Sequence, residues 1–168
     1  IAQGRLSEAM TRYEHGLEIA TQQAGTVLRG AADMHVGMSM VLRERNELDA
    51  ALRHLLTSRE LGEHVGLPQN RYRWRVAMAR IREAEGDLDH AVDLLNDAQR
   101  LYVSDFSPEV RPIPALRAQV WIRQGRLGEA RGWVRERGLS VDEDLTYLRE
   151  FEHITLARVL LAQYAAER

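Results

Sequence analysis

Apolar residues recur at spacings of three and four through most of the chain, the period of helices that bury one face. Leu88, Ala91, Leu95 and Ala98 form the cleanest such stripe, directly after Gly86-Asp87. The Gly-x-Leu-x-x-Ala core of that stretch returns as Gly4-Arg5-Leu6-Ser7-Glu8-Ala9, as Asn46-Glu47-Leu48-Asp49-Ala50-Ala51 with Asn in place of Gly, and as Gly125-Arg126-Leu127-Gly128-Glu129-Ala130. The copies start at residues 4, 46, 86 and 125, so the interval is 42, then 40, then 39 residues. A repeat of that length predicts stacked helical hairpins, because one hairpin cannot bury its apolar face without neighbours.

Each signature has a mechanical reading. Gly or Asn ends the first helix of a hairpin in the left-handed conformation that these residues tolerate best, and Asp87 is placed to cap the helix that follows. The Ala after each turn lets the two helix backbones approach closely. Seven residues before three of the turns stand Ser39, Ala79 and Ala118, also small, where the partner helix crosses. This alternation of small and large residues is the tetratricopeptide pattern with longer repeats. The predicted fold is therefore all-α, a TPR-like α-α superhelix, that is, a solenoid of antiparallel helical hairpins. It forms a single domain, 1–168, with repeats at about 1–24, 27–65, 69–102 and 113–138, and an incomplete one at 142–168.

Along the chain, Gly25 is expected to end the first long helix, and Gly66-Leu67-Pro68 to separate two others. Pro108, Pro112 and Pro114 deny helical hydrogen bonds over 103–114, which reads as the longest irregular connection. Ser140-Val141-Asp142-Glu143 reads as a capping box, so the last helix is expected from Asp142 to Ala166 with Leu145 and Leu148 on its stripe. Both ends fall where a hairpin is half built, which suggests a fragment of a longer solenoid and of a longer protein.

Composition narrows the chemistry. The net charge of −2 offers no general attraction to nucleic acid or to an anionic membrane surface. Without cysteine, disulfides, thiol nucleophiles and zinc-thiolate sites are excluded, which fits a cytoplasmic setting. No apolar run is long enough to span a bilayer. All 23 basic residues are arginine, which reflects codon usage more simply than function. Enzymatic catalysis has little support: none of the six histidines stands three or four residues from another, and the adjacent Glu152 and His153 point about 100° apart on a helix. The acids 142–144 are expected as capping residues, so no metal site is assigned. Arg71-Tyr72-Arg73-Trp74-Arg75 interleaves cations with aromatics, but at helical spacing it reads as a solvated face beside a packed Trp.

Several segments resemble a known family: Gln3-Gly4-Arg5-Leu6, Arg111-Pro112-Ile113-Pro114-Ala115-Leu116, Trp121-Ile122-Arg123-Gln124-Gly125-Arg126-Leu127, Gly138-Leu139-Ser140-Val141 and, above all, Phe151-Glu152-His153-Ile154-Thr155-Leu156-Ala157-Arg158-Val159-Leu160-Leu161-Ala162. Together they look like the helical-repeat region of MalT-like, LuxR-type transcriptional regulators. That resemblance implies a regulator with an amino-terminal ATP-binding switch domain, a superhelical domain that receives the inducer, and a carboxy-terminal helix-turn-helix that reads DNA. This chain matches only the middle part. It holds no Gly-x-x-x-x-Gly-Lys-Ser/Thr loop, since it has no lysine, so no cofactor is expected within it and ATP and DNA are expected to bind elsewhere.

The expected function is thus non-catalytic: signal sensing and protein binding in transcription regulation. In the repeat alignment Met40, Arg80, Gln119 and Arg158 share one position on the inner wall, and Asp33 and Arg73 share another. These six are the candidate ligand- or partner-binding residues, with Arg80 and Arg158 able to hold an anionic or polyhydroxylated inducer. The alternative is a pure protein-protein scaffold or self-association module. A cavity closed by the 103–114 loop favours a small molecule, and an open groove or exposed apolar patch favours a protein partner.

Overall fold

The computed structural model describes residues 4–22, 30–104 and 109–168, and among them it contains eight helices and no strand. In chain order these are α1 (Leu6–Gln22), α2 (Ala31–Glu44), α3 (Leu48–Val65), α4 (Asn70–Glu85), α5 (Leu88–Leu101), α6 (Ile113–Arg123), α7 (Leu127–Arg137) and α8 (Glu150–Ala166). α2 packs on α3, α4 on α5 and α6 on α7, each pair an antiparallel hairpin, and each hairpin packs on the next. The expected stop at Gly25 lies outside the described residues.

The turns form for the reason the repeat implies. Asn46, Gly86 and Gly125 have φ of +62°, +86° and +74°. At each, the next amide reaches back five residues: Glu47 N donates to Leu42 O, Asp87 N to Arg82 O and Arg126 N to Trp121 O. These bonds satisfy carbonyls that a helix end leaves free. Gly138 repeats the arrangement at the end of α7, where φ is +61° and Leu139 N donates to Val134 O. The side chain of Asp87 accepts a bond from His90 N, while Glu47 and Arg126 make no side-chain cap.

The crossing residues are buried as their size requires. Ser39, Ala79 and Ala118 are buried in the first helices, and Ala51, Ala91 and Ala130 are buried in the second. Larger apolar residues fill three successive clusters: one around Val41, Leu55 and Ile81, one around Leu95, Leu116 and Val120, and one around Trp133 and Leu156. Because Ala91 is fully buried in the α4–α5 hairpin, Ala91→Leu is expected to cost about 1–3 kcal/mol by overfilling that crossing. Denaturant unfolding measures this, and a variant as stable as the parent would rule out close packing there.

The last repeat differs from the sequence reading. Ser140-Val141-Asp142-Glu143 does not cap a helix: Ser140 Oγ accepts from Asp142 N in a local turn, and α8 starts only at Glu150. Two interactions draw the intervening segment into an irregular path. Buried Leu139 anchors it to the third cluster, and Glu143 is held by Arg149, with its other oxygen 3.4 Å from His153 Nε2. Leu145 and Leu148, expected inside, are exposed. The start of α8 is instead fixed by Glu152, a buried carboxylate that accepts from Arg137 Nε at 2.7 Å and Arg149 Nε at 3.4 Å.

Candidate functional site

The first helices of the hairpins make up one wall of the solenoid, and polar links join residues about one repeat apart along it. Arg73 donates to Asp33 at 2.7 Å, Arg123 reaches Glu83 at 3.1 Å and Arg158 donates to Gln119 at 3.0 Å. Each joins residues 39 or 40 apart, that is, one repeat apart. The repeat alignment therefore has a physical counterpart on this wall.

A cavity of about 350 Å³ opens in the same wall between α2 and α4. Tyr13 of α1 closes one side. Tyr102, Glu109, Arg111, Ile113 and Leu116, at the end of α5 and the start of α6, close another. Residues 103, 104 and 109–112 are the described parts of the connection that the prolines predict, and Glu109 and Arg111 bring it to the cavity rim. Glu109 is fixed there by accepting from the amide of Ile113, a free donor at the start of α6.

Four of the six sequence candidates line this cavity: Asp33, Met40, Arg73 and Arg80. Asp33 and Arg73 form one end as an ion pair. Seven residues further along their respective helices, Met40 and Arg80 form the other end. Gln119 and Arg158 lie elsewhere on the wall and belong together. Gln119 is buried, donates to Thr155 Oγ1 at 2.9 Å and accepts from Arg158, so it ties α6 to α8.

Tyr13, Arg43, Tyr72 and Arg111 were not among the candidate site residues read from the sequence, yet all four line the cavity, and Tyr72, read as part of a solvated run, is buried. Arg43 had a legible signal, since it stands one repeat before Glu83 and one helical turn after Met40. Tyr13 had none, because only packing brings α1 against α2.

The electrostatics of the Arg80 end are unusual. Burial pushes the guanidinium pKa down from its ordinary value; Glu83 and Glu44 oppose the shift, while Arg43 and Arg111 add to it by repulsion. Glu83 lies 3.5 Å from Arg80 Nε and is shared with Arg123, while Glu44 pairs with Arg43. Arg111 sits over the ring of Phe151 at 5.7 Å. Among the described residues, two polar atoms of the cavity lining are buried with no hydrogen-bond partner, Asp33 Oδ2 and Arg43 Nε.

A second cluster lay beyond sequence reach. His35 of α2 and His54 of α3 place their Nδ1 atoms 2.8 Å apart, and the rings are tilted with centroids 5.1 Å apart. Their separation of 19 residues matches no single-helix spacing; the antiparallel hairpin around Asn46 joins them. Burial lowers the pKa of both. The neighbouring imidazole adds to this for His35, and Arg53 does so for His54, against a smaller opposite effect of Glu14.

The unfolded chain therefore binds protons that the folded pair refuses, so stability is complete above the ordinary imidazole pKa of 6.5 and is lost as pH falls below it. His90 acts in the opposite direction. Its hydrogen bond to Asp87 raises its pKa, which adds stability on the acid side and withdraws it as pH rises through the raised value. The expected result is a melting temperature that falls on acidification in His90→Gln and falls less when His35→Gln and His54→Gln are added. Equal acid sensitivity with and without the pair would refute its role.

The family model for the MalT-like TPR region matches residues 1–168, the whole chain. The chain belongs to the MalT-like TPR family. Neither a curated protein nor a solved structure matches it. Membership of the MalT-like TPR family accounts for the all-helical repeat and suggests the helical-repeat domain of a MalT-type regulator, a kind of domain that is generally non-catalytic and engages other proteins. Among the described residues, no helix is long and apolar enough to cross a membrane.

Proposed function

We propose that this chain is the signal-receiving repeat domain of a cytoplasmic LuxR-type transcriptional regulator, and that it binds an inducer in the cavity between α2 and α4. The observation that carries this reading is the convergence of Asp33, Met40, Arg73 and Arg80 on one cavity of small-molecule size, with Glu109 and Arg111 at its rim. The domain acts by binding alone. ATP and DNA engage other parts of the same regulator.

The test is a thermal-shift panel of sugars, nucleotides, organic acids and peptides on the wild-type chain and on two variants. Met40→Trp fills the cavity, and Arg158→Ala alters the wall outside it. A ligand that stabilises wild type and Arg158→Ala but not Met40→Trp supports the reading. A panel without hits, or hits indifferent to Met40→Trp, overturns it.

A specific observation favours a second reading, a scaffold that binds protein. α8 is apolar nearly all round, and only one face is buried against α6 and α7. Leu161 is 68% exposed and Tyr164 56%, with Ile154 and Leu160 also outside. An exposed apolar patch of this kind is suited to contact with a protein partner. Concentration-dependent self-association abolished by Leu161→Glu would support this reading as self-association.

A further inference from the structure

The cavity has two chemically distinct ends, and each has a buried polar atom without a partner. At one end Arg43, Arg80 and Arg111 all line the cavity, and Arg43 and Arg111 each act on Arg80 by repulsion. Their carboxylate partners are already committed, Glu44 to Arg43 and Glu83 to both Arg80 and Arg123. Arg43 Nε, a donor, is buried and unused. Leaving a donor unpaired and like charges adjacent is costly in a half-desolvated site, and an anion arriving between the guanidinium groups relieves both.

At the other end the polarity is reversed. Asp33 uses Oδ1 to accept from Arg73, and its Oδ2 is buried with no donor. A hydroxyl or N–H group satisfies it. Between the ends the lining is apolar and aromatic: Val36, Tyr72, Val76, Ile113 and Leu116. The seven residues from Arg73 to Arg80 span about 10 Å along α4, at 1.5 Å per residue.

We infer that the cavity takes a small amphipathic anion: a carboxylate or phosphate held by Arg80 with Arg43 and Arg111, a flat apolar body against the tyrosines and valines, and a hydrogen-bond donor at the far end directed to Asp33. This assignment rests on the reading of the cavity as the receiving site and adds the class of ligand. The lining carries four guanidinium groups, and an anion can add charge-assisted bonds to them that a neutral sugar cannot.

The experiment is calorimetric titration of the 168-residue chain with para-coumarate, its methyl ester, cinnamate and phenyl phosphate. Para-coumarate is expected to bind about tenfold or more tightly than the ester, because the ester forfeits the charge-assisted bonds. Cinnamate, lacking the phenol, is expected to fall between them. The comparison of phenyl phosphate with cinnamate shows which anion the arginines prefer. In Arg80→Gln the advantage of acid over ester is expected to vanish, and denaturant unfolding of the variant is the separate control for folding.

Three results would overturn the inference. They are ester and acid binding equally to wild type, an acid advantage that survives Arg80→Gln, and no binding of either anion. If neutral sugars or peptides then stabilise wild type but not Met40→Trp, the receiving role stands and only the ligand class is wrong. If no ligand distinguishes Met40→Trp from wild type, the receiving role falls with it.

Discussion

Trp133→Ala is expected to lower stability by about 3–5 kcal/mol. Trp133 is the largest side chain of the third cluster, only 3% exposed, and it joins α7 to Leu139, Leu156 and the alanines of α6. Its removal leaves a cavity that a fixed helix crossing cannot fill by collapse. Its indole N–H is buried without a partner, so Trp133→Phe retains most of the packing while removing an unsatisfied donor, and costs much less. Denaturant unfolding gives the two values. Because solenoid repeats interact only with neighbours, deuterium uptake should rise in α6 to α8 and stay unchanged in α2. A Phe variant as damaged as the Ala variant would contradict this account of the site.

Leu95→Ala is expected to cost about 2–5 kcal/mol, in a different region and with a different consequence. Leu95 is 1% exposed in the middle of α5 and packs in the cluster that includes Tyr72, Ile113 and Leu116. The last three also line the candidate cavity. The substitution should therefore weaken ligand-induced stabilisation as well as the fold, although Leu95 does not line the cavity. Parallel measurement of unfolding free energy and ligand shift tests the coupling. A destabilised variant with an undiminished shift would show that the core behind the wall and the cavity in front of it are independent.

How far the sequence reached depended on the range of the interactions concerned. The turns at Asn46, Gly86 and Gly125 were legible because a left-handed φ restricts the residue type at one position. The buried alanines were legible because close helix crossings restrict size at a fixed distance from those turns. Asp33 with Arg73, and Met40 with Arg80, followed from the same period, since one repeat step carries a residue to its neighbour on the wall.

The capping box at 140–143 failed for the opposite reason. Its local pattern is sound, but Glu143 is claimed by Arg149, and α8 takes its start from the buried Glu152. The His35–His54 pair, and the arrival of Tyr13 and Arg111 at the cavity, depend on how separate helices rest against one another. No spacing within one segment records that.

The polar links between Asp33 and Arg73, Glu83 and Arg123, and Gln119 and Arg158 all fall on the first-helix side of the solenoid. Asn70 to Ser58, Trp74 to the Leu55 carbonyl, Arg117 to Asn96 and Gln124 to Asp89 tie the same hairpins on the second-helix side, so each hairpin is laced to the next along both edges. On the proposed reading, an anion beside Arg80 would compete with Glu83 for that guanidinium and leave Glu83 freer to tighten on Arg123. Occupancy of one hairpin would thereby be relayed to the next through a shared carboxylate.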